Sequence, residues 1–70
     1  MDMAQDLLTQ FKEALAGHDW YYQYSDDHRV YCRGRDQASR ISVLHCKCQA
    51  AGLGDQADAI YEAAQNGKRY

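Results

Sequence analysis

The sequence predicts a small α+β domain, ordered helix–β-hairpin–helix–helix, with a two-stranded antiparallel sheet packed on helices. Three observations lead there. Apolar residues recur at helical spacing in the first 16 and the last 34 residues. Between them, Trp20, Tyr21, Tyr22, Tyr24 and Tyr31 crowd a short segment rich in strand-favouring side chains. That segment contains Ser25-Asp26-Asp27, residues suited to a turn because short polar side chains bond their own backbone.

The first helix rests on Met3, Leu7, Leu8, Phe11 and Leu15 with Ala4 and Ala14, capped by Asp2 and stopped by Gly17. The hairpin follows. A turn at 25–27 pairs Tyr24 with His28, Tyr22 with Val30 and Trp20 with Cys32, which gathers Trp20, Tyr22, Tyr24, Val30 and Cys32 on an inner face. The outer face then pairs Tyr21 with Tyr31, Gln23 with Arg29 and Asp19 with Arg33. Unlike charges in the last pair favour this register by a few tenths of a kcal/mol. Gly34 is expected to break the strand, and Asp36 to cap a second helix over 37–51 with Ala38, Ile41, Leu44, Cys48 and Ala51 inward and Gly52 at its end. Asp55 starts a third helix, with Ala57, Ile60, Tyr61 and Ala64 inward and Gly67 at its end.

Seventy residues form a single domain, 1–70. Large apolar side chains are few, and at this length burial and chain entropy nearly cancel, leaving roughly 3–5 kcal/mol. So small a chain is not expected to enclose a deep substrate cleft, which argues against an enzyme. No Gly-rich phosphate loop, nucleophile elbow or metalloprotease helix motif is present. Asp26, Asp27 and His28 sit at an expected solvated loop tip, with nothing to desolvate them for acid–base work.

The net charge of −2 is blocked. Residues 1–27 carry six acids against Lys12, and residues 28–50 carry Arg29, Arg33, Arg35, Arg40 and Lys47 against Asp36. This pattern suggests charge complementarity to a partner. The chain is not basic enough to read as a dedicated nucleic-acid binder and is too balanced for a polyanion mimic.

His45-Cys46-Lys47-Cys48 raises a zinc reading, with Cys32 and His18 or His28 as further ligands. On a helix, Cys46 and Cys48 lie about 200° apart and cannot grip one ion. The expectation is therefore no metal and no cofactor, with Cys48 as core filler and no Cys32–Cys48 disulfide in a reducing compartment. The start of the chain lacks a signal-peptide pattern and no apolar run suits a membrane span, so a cytoplasmic protein without membrane partners is expected. Lys68, Arg69 and Tyr70 read as a tail.

The candidate site is the hairpin's outer face. Tyr21 and Tyr31 would serve as anchors, Arg29 and Arg33 as charged contacts, and Asp26 and Asp27 as an acidic tip, since Tyr and Arg dominate interface hot spots. Two other readings compete. The tyrosines could be core, or they could stack single-stranded nucleic acid. A nucleic-acid regulator would use an Arg29/Arg33/Arg35/Arg40 edge, and a self-associating module would pair ribbon faces across a two-fold axis as a homodimer.

The stretch from His18 to Asp27, then Val30-Tyr31 and Arg33-Gly34, resembles small accessory proteins of tailed bacteriophages that carry a W-Y-Y-x-aromatic-S-D-D block. The likeness covers about a quarter of the chain. It implies a protein that binds and inhibits a host protein or defence complex in the host cytoplasm, in the manner of anti-CRISPR proteins.

Overall fold

The computed structural model describes residues 3–67. Among these residues there is no strand. The order is α1 (Met3–Ala16), a single 3-10 turn (Tyr22–Tyr24), α2 (His28–Ala50) and α3 (Gly54–Gly67). The expected α+β class and its hairpin are therefore corrected to a three-helix fold, with no ribbon to pair across a two-fold axis. The proposed Asp2 cap and the Lys68–Tyr70 tail lie outside the described residues.

α1 forms on the predicted stripe. Leu8, Phe11 and Leu15 are buried and Leu7 and Ala14 pack beside them. Its last turn closes with the Gly17 N–H donating to Glu13 O (3.1 Å).

α2 is where the sequence reading fails. Asp27 does not turn a hairpin; it caps a helix, its Oδ1 accepting from the Arg29 N–H at 2.9 Å. That bond satisfies one of the donors left orphaned at a helix start. Ser25 Oγ accepts from the Asp27 N–H (3.1 Å) and fixes the approach. The helix then runs 23 residues without a break, straight through Gly34 and Asp36. Gly34 is no strand breaker. A β-carbon there would lie 2.1 Å from Tyr22 Cβ and 2.2 Å from its Cγ, so the missing side chain is what lets Tyr22 lie on the helix. Glycine inside a helix costs about 1 kcal/mol relative to alanine, and packing of the Tyr22 ring offsets it.

Ala51 ends α2, and Gly52 takes φ +79°. The Leu53 N–H donates to Cys48 O (2.8 Å) and the Gly52 N–H to Gln49 O (3.0 Å), the paired bonds of a Schellman ending. α3 starts at once and lays Ala57 into the core, with Leu53, Ile60, Tyr61 and Ala64 around it.

Buried Leu8, Phe11 and Leu15 of α1, Ile41, Leu44 and Cys48 of α2, and Ala57 form one cluster. The length of α2 draws the molecule out to 40 × 23 × 17 Å, with a radius of gyration of 12.8 Å. A compact chain of this length would have about 11 Å.

Candidate interaction surface

The segment between α1 and α2 is held by rings and hydrogen bonds. Tyr61 of α3 meets Trp20 edge-on at 5.5 Å, and Trp20 meets His18 at 5.1 Å. His18 lies 5.7 Å from Tyr22, which lies 5.8 Å from Tyr31 on α2. Five rings thus form one chain of contacts from α3 across the junction to α2. Gln37 clamps the same segment. Its Oε1 accepts from His18 Nδ1 (3.2 Å) and the Asp19 N–H (3.1 Å), and its Nε2 donates to Gly17 O (3.1 Å). Asp19 Oδ1 in turn accepts from the Tyr21 N–H (3.0 Å). Trp20 Nε1 is buried without an acceptor, so the indole is held there by packing alone.

This framework presents tyrosine outward. Tyr21 is 46% exposed, Tyr24 81% and Tyr31 39%. The inner face expected for Tyr24 belonged to the ribbon that does not form; in the 3-10 turn the side chain stands in solvent. Asp26 is exposed, and Asp27 is spent as the α2 cap.

The six predicted site residues do not share one face. Along a helix, residues two apart point about 160° away from one another. Arg29 and Arg33 are each two residues from Tyr31, and so stand on the other side of α2. The cation beside Tyr31 is Arg35, one turn on and about 40° round the axis. Arg29 and Arg33 instead fall in line with Arg40 and Lys47, all exposed. The proposed four-arginine edge is split in the same way, with Arg35 apart from the other three.

Tyr24 and Gln37 are not expected at this surface from the sequence, and Arg35 is expected only as part of the four-arginine edge. The Asp27 cap is the signal for Arg35 and Gln37, since a helix beginning at 28 fixes both; Tyr24 lies before it in the 3-10 turn.

Between α2 and α3 lies an open groove of about 570 Å³, lined by Ala38, Ile41, Ser42, Tyr61, Glu62 and Gln65 together with His45 and Asp58. His45 Nε2 and Asp58 Oδ1 are paired at 2.7 Å, and the imidazole also lies 5.7 Å from the Phe11 ring. Cys48 is fully buried, and burial pushes its thiol above the ordinary range. Cys46 is exposed, and Cys32 Sγ lies 3.4 Å from His28 Nε2. Among the described residues no three His, Cys, Asp or Glu side chains gather as a metal site, and no helix is long and apolar enough to cross a membrane. No protein-family model, curated protein or solved structure matches this chain.

Proposed function

We propose that this chain is a non-enzymatic binding protein that inhibits a host protein or defence complex by covering part of its surface. The contact edge is Tyr21, Tyr24 and Tyr31, with Arg35 beside Tyr31 and Asp26 at the rim. The observation that carries this reading is the exposure of Tyr21 and Tyr24 on a segment fixed by Gln37 and by Tyr22 on Gly34, together with the exposure of Tyr31 on α2. Rigid aromatic side chains contribute contact area at low entropic cost, so residues already held in place are favoured anchors. A domain this small can offer about 800 Å² to a partner, enough for steric blockade. The resemblance of residues 18–34 to phage accessory proteins supports the same reading and a site of action in the host cytoplasm.

Site-directed photocrosslinking in bacterial cells tests it. A crosslinker at position 24 should give one discrete adduct, competed by excess wild-type chain and not by a Tyr24→Ala/Tyr31→Ala chain whose circular dichroism is unchanged. Equal competition by both chains would remove the tyrosine edge as the site.

A further inference from the structure

Arg40, Val43 and Lys47 stand in line on the outer flank of α2, at steps of three and four residues, and all are exposed, Val43 by 54%. On α3, Glu62, Ala59 and Asp55 stand in line at the same steps read backwards, also exposed and on the side away from buried Ala57, with Glu62 at the rim of the α2–α3 groove. Both lines span about 10.5 Å. Asp58, the remaining acid of α3, is turned to His45, and Glu62 borders the same groove, so Asp55 is the carboxylate that stands clear of it.

We propose that α3 of a second copy docks antiparallel on this flank of α2. Glu62 of the second copy would meet Arg40, Ala59 would meet Val43, and Asp55 would meet Lys47. One step further, Asn66 of the second copy would meet Asp36, a neutral donor against a carboxylate. Val43 and Asp36 select this occupant over a nucleic acid, because a phosphate backbone gains nothing from an exposed valine and is repelled by an aspartate. Glu13 lines the cleft between α1 and α2 beside Arg40, which leaves Lys47–Asp55 as the better isolated pair. Copies joined this way pair reciprocally across a two-fold axis or repeat head to tail into a ring or an open chain. This inference stands apart from the tyrosine edge.

Sedimentation of the full chain against concentration and salt tests it. Average mass should rise with concentration up to about a millimolar at low salt, and return to monomer at about 1 M salt, where charges are screened beyond about 3 Å. Arg40→Glu/Lys47→Glu and Asp55→Lys/Glu62→Lys should each weaken association by roughly tenfold or more, with unchanged circular dichroism because all four positions are exposed. An equimolar mixture of the two variants should associate again, since each supplies the charge the other has lost. A monomer under all conditions would overturn the proposal, as would a mixture that fails to recover. Wild-type binding to an oligonucleotide that is lost in Arg40→Glu/Lys47→Glu and kept in Asp55→Lys/Glu62→Lys would assign the flank to a polyanion instead.

Discussion

The two ends of this molecule are held by different forces. At one end Leu8, Phe11, Leu15, Leu44 and Cys48 bury aliphatic and phenyl surface between helices. At the other, the segment from Gly17 to Tyr24 is tied to α2 by three hydrogen bonds to Gln37 and by a ring laid on a glycine. Apolar burial is non-directional and tolerates some sliding, whereas hydrogen bonds and close ring contacts fix position. The aliphatic end supplies stability, and the aromatic end supplies a fixed outline. Exposed Tyr21 and Tyr24 belong to the second.

Truncating Phe11 to alanine strikes the first region and should have the largest effect. A buried phenyl costs about 3–5 kcal/mol to remove, comparable to all the stability expected of such a chain, so thermal melting should show little or no folded fraction. Gly34→Ala strikes the second. The new methyl overlaps the Cβ and Cγ of Tyr22, atoms too near the backbone to swing aside, and overpacking of this kind costs about 1–3 kcal/mol. The near-ultraviolet aromatic signal should fall while far-ultraviolet helix content is largely kept; equal loss of both would mean the two ends are one cooperative unit. Gln37→Ala should cost about 1 kcal/mol, read as faster amide exchange at Asp19 with little change at Leu44.

The smallest effect is a pH dependence confined to the aliphatic end. The folded state holds the Cys48 proton to higher pH than the unfolded state does, because burial penalises the thiolate. This contribution is fully present below the ordinary thiol value of about 8.5 and is lost as pH rises above it, at no more than about 1.4 kcal/mol per pH unit. Denaturant midpoints measured from pH 7.5 to 9.5 should fall in the wild type, and less steeply in Cys48→Ala.

α1, the distal half of α2 and α3 were legible because their apolar residues keep helical period, and Gly52 marks an end that the structure keeps. The proximal half of α2 was not. Its inward line continues back from Cys48, Leu44 and Ile41 through Gln37 and Gly34 to Val30, at alternating steps of three and four. Two of those positions carry a polar amide and no side chain at all, so a search for hydrophobic periodicity passes over them. Both hold the junction in place. The aromatic residues misled for a related reason: strand preference reflects a fit to a half-buried pleated surface, and here the same rings found a helix to lie on. Without the helix, the grouping of Tyr31 with Arg29 and Arg33 could not be undone from sequence.

The tight ending at Gly52 also bears on how quickly the chain finds its shape. It returns α3 onto α2 within a few residues, so the pairing of those helices is local, and helical folds rich in local contacts form in microseconds to milliseconds. The chain contains no proline, so no slow isomerisation phase stands in the way.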